Sequence, residues 1–209
     1  MIYSRILQLP PLLRRKSFFL LGPRSTGKSF LIRKQLGADA FVIDLLKADN
    51  FLRLSNRPSE LADMIQASAR SIVVIDEVQK LPQILDEVHR LIEQRRIRFL
   101  LTGSSARALR RGGVNLLGGR ARTTYLHPLT SRELGDRFDL GRAIERGLLP
   151  SIYFSDDPRA DLQAYAGSYL QQEIVAEGAT RNIPAFSRFL RIAALCNGTI
   201  VNFTNVASD

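Results

Sequence analysis

The stretch that decides the fold is Gly22-Pro23-Arg24-Ser25-Thr26-Gly27-Lys28-Ser29, which matches the pattern G-x-x-x-x-G-K-[ST] at every position. An apolar run at residues 18–21 precedes it, and residues 30–32 continue into a helical pattern. Between a buried strand and a helix, the backbone N–H groups of such a loop surround nucleotide phosphates, and the positive end of the helix adds to the attraction. The pattern therefore predicts a phosphate-binding loop; the alternative is a glycine turn that binds nothing.

Several positions of this loop have an expected task. Gly22 and Gly27 allow backbone conformations and close approaches that a Cβ atom would block. Lys28 is expected to reach the β- and γ-phosphates, and the hydroxyl of Ser29 is expected to bind Mg²⁺. Arg24 is close to the phosphates by its spacing, and the alternative for it is a position facing solvent. The expected nucleotide contacts are Gly22, Pro23, Arg24, Ser25, Thr26, Gly27, Lys28, Ser29 and Phe30.

Two acidic residues end a second apolar run, about fifty residues after the loop. The run Ile72-Val73-Val74-Ile75 is entirely β-branched, as in a strand buried on both faces, and Asp76 and Glu77 follow it. Asp76 is placed to hold Mg²⁺ directly or through water, and Glu77 to polarise an attacking water. The pattern N-K-x-D, which reads guanine in GTPases, does not occur. These features predict ATP hydrolysis; the alternative for the acid pair is stabilisation of a helix start.

Two further segments contain candidate catalytic residues. Thr102 ends an apolar run that begins at Phe99, and it is expected to sense the γ-phosphate or to position the water. The alternative for this segment is that Ser104 is the N-cap of a following helix, and the two roles are compatible. Arg120 follows two glycines and precedes a predicted strand, so its guanidinium is expected to stabilise charge on the γ-phosphate. That phosphate belongs to its own chain or to a neighbouring subunit of a homo-oligomer; the alternative for Arg120 is a surface ion pair.

Strand and helix patterns alternate through the first 130 residues. Alternation of this kind favours an α/β fold in which helices cover both faces of a parallel sheet. After about residue 150 only helical patterns remain, at residues 161–176 and 185–195. We therefore expect two domains, residues 1–150 and 151–209, with the second one cut short by the end of the chain. The predicted strands are residues 17–21, 40–44, 71–76, 98–102 and 123–126.

Composition and charge limit the environment and the partners. The 209 residues are 45% hydrophobic and include one cysteine, Cys196, which cannot form an internal disulfide. No apolar run is long enough to cross a membrane, so we expect a soluble, cytoplasmic protein without a membrane partner. The net charge is +10, and nine arginines but one acid, Glu93, lie between Arg90 and Arg122. This basic cluster predicts a polyanionic partner such as DNA; the alternative is a general bias towards arginine.

Seven short segments, taken together, resemble those of a known family. They are Gly22 to Ser29, Ile75-Asp76-Glu77-Val78-Gln79-Lys80, Leu101-Thr102-Gly103-Ser104-Ser105, Gly119-Arg120, Leu126-His127-Pro128-Leu129, Gly147-Leu148-Leu149-Pro150 and Tyr169-Leu170-Gln171-Gln172-Glu173-Ile174. The chain is similar over nearly its whole length to bacterial and archaeal AAA+ ATPases with an uncharacterised, winged-helix-like C-terminal domain. The resemblance implies a P-loop NTPase three-layer sandwich, whose five-stranded parallel sheet has the order 5-1-4-3-2, and it implies ATP and Mg²⁺ as ligands.

The sequence leaves two functions open. In the first, ATP hydrolysis drives or switches a conformational change in the attached C-terminal domain, and Glu77 favours this function. In the second, the chain is a nucleotide-dependent nucleic-acid-binding or signalling switch with slow hydrolysis, which the basic cluster favours. ATP and ADP are the expected small-molecule partners in both.

Overall fold

The structure is a computed structural model that describes residues 4–104, 109, 117–169 and 182–198. The chain divides into two compact units, residues 1–156 and 157–209. The domain boundary expected at residue 150 lies a few residues before this division and stays a prediction. Most of the helix expected after Ser104 lies outside the described residues, as do three of the nine arginines of the basic cluster.

Five parallel strands form one sheet in the first unit. The strands are β1 (Ser17–Leu21), β2 (Ala40–Asp44), β3 (Ile72–Asp76), β4 (Arg98–Gly103) and β5 (Ala121–Tyr125). Their order across the sheet is β2-β3-β4-β1-β5, and every neighbouring pair is parallel. This is the order 5-1-4-3-2 implied by the resemblance, so the predicted α/β fold is confirmed.

Helices alternate with these strands and continue after the last one. In the first unit they are α1 (Leu9–Arg15), α2 (Lys28–Leu36), α3 (Ala48–Asn56), α4 (Glu60–Ser68), α5 (Ile84–Arg95), α6 (Ser131–Leu134), α7 (Leu140–Arg146) and α8 (Pro150–Tyr153). The described helices of the second unit are α9 (Pro158–Tyr169) and α10 (Ile183–Leu195). None of the described helices has the length and apolar character needed to span a membrane.

The side chains of β1 alternate between two hydrophobic cores. Phe19 and Leu21 pack on one face of the sheet, in a cluster with the apolar sides of α4 and α5. Phe18 and Leu20 pack on the other face, with α1 and α2. All five residues of β1 are buried, as expected for a central strand of a parallel sheet. The first unit is therefore a three-layer sandwich with the sheet in the middle.

The carboxyl ends of β1, β3 and β4 lie at one edge of the sheet. Leu20 of β1 is in register with Thr102 of β4, and Ile75 of β3 is in register with Leu101. Because the strands are parallel, the loop after β1, the acid pair after β3 and the end of β4 all lie at this edge. In open α/β sheets, ligands bind outside the carboxyl ends of the strands.

Candidate functional site

The phosphate loop joins the carboxyl end of β1 to the first turn of α2. A Cβ atom on Gly22 would lie 2.2 Å from the carbonyl oxygen of Leu126, so only glycine fits this close approach. Gly27 precedes α2 with a left-handed φ of 90°, which also favours glycine. No described atom lies within 4 Å of the place where a Cβ of Gly27 would be. The loop thus leaves open space at the start of α2, where an anion is favoured.

The ammonium group of Lys28 lies inside this loop. Its Nζ donates hydrogen bonds to the carbonyl oxygens of Gly22, at 2.7 Å, and Pro23, at 3.0 Å. Lys28 is buried. Lysine side chains are seldom buried unless they are paired, and these two carbonyl oxygens are partners of the ammonium group. The side chain therefore curls over the backbone that is expected to hold phosphates, and its charge stays within the loop.

Asp76 is the centre of the polar contacts at the carboxyl edge. The hydroxyl of Ser29 donates a 2.9 Å hydrogen bond to its Oδ2, and the hydroxyl of Thr102 donates to its Oδ1. Carboxylate and hydroxyl oxygens are ligands that Mg²⁺ accepts, and this ion usually takes only one or two carboxylates besides waters and phosphates. The residues present therefore fit a magnesium ion, with Ser29 and Asp76 as the protein groups that would hold it.

Thr102 connects the two acidic residues. Its hydroxyl donates to Asp76 and accepts a 3.1 Å hydrogen bond from the backbone amide of Glu77. The single hydroxyl proton is therefore already engaged by a carboxylate. Thr102, which is fully buried, orients Asp76 and the backbone at Glu77. Its predicted contact with the γ-phosphate or the water stays a prediction.

Glu77 occupies a sharp turn directly after β3. Its backbone has a φ of 61° and a ψ of 45°, which is left-handed and uncommon for a residue other than glycine. The turn directs the chain into a short 3-10 segment, Val78–Lys80. The carboxylate of Glu77 accepts a hydrogen bond from the side-chain amide of Gln79. Sequence reasoning placed Glu77 correctly after the strand but gave Gln79 no role.

A mostly apolar cavity of about 350 Å³ lies beside the phosphate loop. Thr26, Gly27 and the predicted contact Phe30 form one side of it. The residues that line the rest are Arg5, Leu129, Pro150, Ser151 and Phe154. Cavities of this size and apolar character are typical of sites for small molecules and cofactors.

A family model described as an AAA domain matches residues 14–135, which include the phosphate loop, the acid pair and the five strands. The chain belongs to this AAA domain family. The match places the phosphate loop and the acid pair within a domain of the AAA ATPase type. A second family model, described as a domain of unknown function (DUF8612), matches residues 137–209. The resemblance to an AAA ATPase followed by a different C-terminal domain is confirmed.

This chain is similar to a chain in a solved structure described as "Structural Basis for Katanin Self-Assembly". The sequence identity is 18% and the TM-score is 0.41. The similarity covers 58% of this chain and 47% of that chain, so the chain spans less than half of the katanin structure's length. No curated protein matches the chain.

A buried ion pair holds the segment before α1 against the phosphate loop of the AAA domain. The guanidinium of Arg5 lies 2.9 Å from Oε1 of Glu133, and both side chains are almost completely buried. Arg5 also donates to the carbonyl oxygens of Thr26, at 2.7 Å, and His127, at 2.5 Å. Sequence reasoning missed both residues, because their positions differ by 128 and no local pattern connects them.

Glu133 is held by backbone amides as well as by Arg5. Its carboxylate accepts hydrogen bonds from the amides of Ile6, at 2.9 Å, and Thr130, at 3.1 Å, while the Thr130 side chain caps α6 in return. Burial alone raises the pKa of the Glu133 carboxyl, but these hydrogen bonds and the charge of Arg5 outweigh burial and lower it. The spacing T-x-x-E is the signal that could have identified this capping box.

Arg120 does not lie beside the phosphate loop of its own chain, which corrects one form of the prediction. Ala121 is in register with Ser17, the first residue of β1, so Arg120 lies at the amino ends of the strands. The phosphate loop follows the opposite ends. Arg120 instead pairs with Glu93 and donates a 3.2 Å hydrogen bond to the carbonyl oxygen of Gly118. Action on the γ-phosphate of a neighbouring subunit stays a prediction.

Three arginines of the basic cluster, Arg98, Arg120 and Arg122, line a cleft at this amino edge of the sheet. The cleft has a volume of about 690 Å³. Its lining residues are Arg15, Lys16, Ser17, Ile92, Glu93, Arg98, Gly118, Gly119, Arg120 and Arg122. Arg90, by contrast, is engaged on α5 by Glu87 and Gln94. Residues 105–108 and 110–116, with three further arginines, lie outside the described residues.

Proposed function

We propose that this AAA domain binds ATP with Mg²⁺ and hydrolyses it, and that hydrolysis changes the conformation of the C-terminal unit. The hydrogen bond between Ser29 and Asp76 supports this proposal most directly, because it brings the two expected magnesium ligands together at the start of α2. Glu77 follows Asp76 at the same edge of the sheet. A phosphate loop, a metal site and a candidate base are therefore adjacent.

Each of these groups has a defined part in hydrolysis. The backbone amides of the loop and the ammonium of Lys28 bind the phosphates, which requires Lys28 to exchange its contacts with Gly22 and Pro23 for phosphate oxygens. When bound, Mg²⁺ neutralises charge on the phosphate oxygens. Glu77 accepts the proton of a water whose oxygen bonds to the γ-phosphorus while the bond to the ADP oxygen breaks.

The apolar cavity beside the loop is the proposed place for the nucleoside. Its lining of Phe30, Leu129, Pro150 and Phe154 suits a flat base, and Thr26 and Gly27 connect it directly to the phosphate loop. A cavity of about 350 Å³ lies within the range of ordinary ligand pockets. These contacts favour a purine nucleotide through shape and burial rather than through base-specific hydrogen bonds.

The same cavity suggests how the nucleotide state reaches the second unit. Pro150 and Ser151 begin α8, and Phe154 follows it; all three line the cavity. The second unit begins at Asp157, directly after this segment in the chain. A ligand that contacts α8 with a different affinity before and after hydrolysis would shift the position of this segment. The connection between the predicted domains thus starts at the nucleotide pocket.

A hydrolysis assay with a matched pair of glutamate variants tests the proposal. Glu77→Gln is expected to bind ATP normally and to hydrolyse it at least about 100-fold more slowly, because the general base is lost. Glu145→Gln is the control, since Glu145 is exposed on α7 and does not line the cavity beside the phosphate loop. Unchanged turnover in Glu77→Gln would show that another residue activates the water.

A second candidate function, binding of a polyanion, is supported by the cleft at the amino edge. Five cationic side chains and one acid, Glu93, line it, and Arg120 pairs with that acid. No aromatic side chain is among the lining residues of this described cleft. Stacking on single-stranded bases therefore has no platform here, and contacts with the phosphates of a duplex are favoured. This would make the chain a nucleotide-dependent DNA-binding switch.

Duplex DNA binding measured over a salt series tests this second function. The logarithm of the affinity is expected to fall with a slope of about −0.9 per phosphate contacted. Arg122→Ala should lower the affinity and make the slope shallower by about 1, whereas the exposed Arg132 on α6 provides the control Arg132→Ala. Absence of binding at low salt would leave a general bias towards arginine as the explanation of the cluster. Hydrolysis with and without DNA then distinguishes a coupled enzyme from a slow switch.

A further inference from the structure

We infer that Gln79 is a positioning residue for Glu77, and that Gly103 makes the space which this task requires. The inference deepens the proposed hydrolysis and rests on it, because it concerns how the candidate base is held. The side-chain amide nitrogen of Gln79 donates a hydrogen bond to Oε2 of Glu77. A carboxylate only accepts hydrogen bonds, so the nitrogen and not the oxygen of the amide must face it.

The other end of the amide shows what orients this side chain. Oε1 of Gln79 is buried and has no hydrogen-bond partner among the described residues. A buried oxygen without a donor is unfavourable, so the oxygen end of the amide does not stabilise this orientation. The contact with Glu77 is the polar contact that favours it.

Gly103 provides the space in which the amide lies. A Cβ atom on Gly103 would be 2.7 Å from Oε1 of Gln79, closer than real Cβ contacts come. The backbone of Gly103 is not in the left-handed region, so alanine is compatible with its conformation. The atom that would have to move is the end of a flexible side chain. Gly103→Ala should therefore displace the amide of Gln79 while the strand remains intact.

The restraint matters because, among the described residues, the other contacts that hold Glu77 are made by its backbone. Its amide donates to Thr102, and its left-handed turn fixes where the side chain begins. Within the described part of the chain, the side-chain hydrogen bond of Glu77 is the one from Gln79. With Oε2 engaged in this way, Oε1 of Glu77 is left to accept the proton of the attacking water. A base misplaced by about 1 Å can lose on the order of 100-fold in rate.

A double-mutant cycle on hydrolysis tests this positioning. Gln79→Met keeps the length of the side chain and removes the donor; it should lower kcat by roughly 10- to 100-fold and leave the KM for ATP unchanged. Gly103→Ala should have a similar effect, and combining it with Gln79→Met should add nothing further. In a Glu77→Gln background, Gln79→Met should also have no further effect, because the group that it positions is no longer a base. Gln83→Met, at an exposed glutamine beside α5, is the control.

The outcomes distinguish the positioning role of Gln79 from the proposed hydrolysis of ATP. Slow hydrolysis in Glu77→Gln together with normal kcat in Gln79→Met overturns the positioning role and leaves the proposed function in place. Normal hydrolysis in Glu77→Gln overturns the positioning role together with the assignment of Glu77 as the base, whereas absence of hydrolysis in the wild type overturns the proposed function. A loss of kcat in Gln79→Met that persists undiminished in the Glu77→Gln background, or that is accompanied by a lower melting temperature of the protein, assigns Gln79 a structural role and overturns the inference.

Discussion

Ser29 and Asp76 are joined by a hydrogen bond of 2.9 Å although 47 residues separate them in the chain. The contact exists because β1 and β3 are parallel and both end at the same edge of the sheet, with β4 between them. Thr102 of that middle strand donates to the other oxygen of Asp76. The carboxylate is thus oriented from two sides by hydroxyl groups of its own chain.

Asp76→Asn is expected to weaken the dependence on Mg²⁺ more than the binding of nucleotide. The substitution keeps the shape of the side chain and removes the negative charge of the carboxylate, which is the kind of ligand that Mg²⁺ prefers. Titration of ATPase activity with MgCl₂ should show a higher half-saturating concentration and a lower plateau.

Asp63→Asn is a suitable control for this titration, because Asp63 is exposed on α4. An unchanged magnesium titration in Asp76→Asn would remove Asp76 from the metal site. It would leave the carboxylate with only the task of holding Ser29 and Thr102.

Lys28→Ala should reduce ATP affinity by about 10- to 100-fold, which corresponds to the loss of charge-assisted hydrogen bonds to phosphate. Calorimetric titration with a non-hydrolysable ATP analogue measures this directly. Lys34→Ala removes an exposed lysine from the same helix and should bind normally. Equal affinity in the wild type and Lys28→Ala would mean that the loop does not bind the β- and γ-phosphates.

The positions of most strands could be predicted because these strands are short apolar runs, a pattern that indicates a buried strand. Ile72–Asp76 is continuously β-branched until its last residue, and the structure buries its central residues on both faces. The prediction was least accurate for β5, which starts at Ala121 rather than at residue 123. β5 is an edge strand, and Arg122 at its start is exposed, so apolar patterning does not mark where it begins. The strand order itself followed from the resemblance.

The candidate site was predictable only where consecutive residues carry the signal. The loop pattern and the acid pair gave Lys28, Ser29 and Asp76, and the parallel sheet brings these together. Arg5 could not be found in this way, because its partners are carbonyl oxygens and a carboxylate that only the folded chain brings near. Arg120 was expected near the phosphates because it adjoins a strand, but it precedes that strand and so lies at the wrong end for its own loop.

Arg120→Ala is expected to bind ATP normally and, if the chain assembles, to hydrolyse it on the order of 10³-fold more slowly. The position at the amino edge leaves action on a neighbouring subunit as the way in which this guanidinium reaches a phosphate. Specific activity of the wild type should then rise with protein concentration. Mixing Arg120→Ala with Lys28→Ala should restore activity, because each variant supplies what the other lacks.

Full activity of Arg120→Ala would identify its contact with Glu93 as a surface ion pair and nothing more. A slow Arg120→Ala variant that mixing does not rescue, at any protein concentration, would contradict delivery to a neighbouring subunit. Arg132→Ala serves again as the control for removal of an exposed arginine.

The ion pair between Arg5 and Glu133 makes stability depend on pH in the acid range. The pKa of Glu133 is lower in the folded chain than its ordinary value, because amide hydrogen bonds and Arg5 outweigh the effect of burial. The carboxylate therefore stabilises the fold above the ordinary pKa of glutamate, about 4.3, and this stabilisation is lost as the pH falls through the lower, folded pKa. Glutamine at position 133 keeps the size of the side chain but leaves the guanidinium of Arg5 without its countercharge.

Glu133→Gln is accordingly expected to lower the free energy of unfolding by about 3 kcal/mol at neutral pH, the scale for breaking a buried pair. Urea titrations at several pH values should show this difference shrinking as the pH falls below the ordinary pKa of glutamate, about 4.3, where the unfolded chain takes up the proton before the folded chain does. Glu145→Gln should remain equal to the wild type throughout, since the Glu145 side chain is 72% exposed and lies 3.8 Å from Arg146. A difference that stays constant down to pH 3 would show that the charge of Glu133 does not carry the effect. Because Arg5 also bonds the carbonyl oxygen of Thr26, Glu133→Gln should weaken ATP binding as well, and weaken it most where the stability loss is greatest.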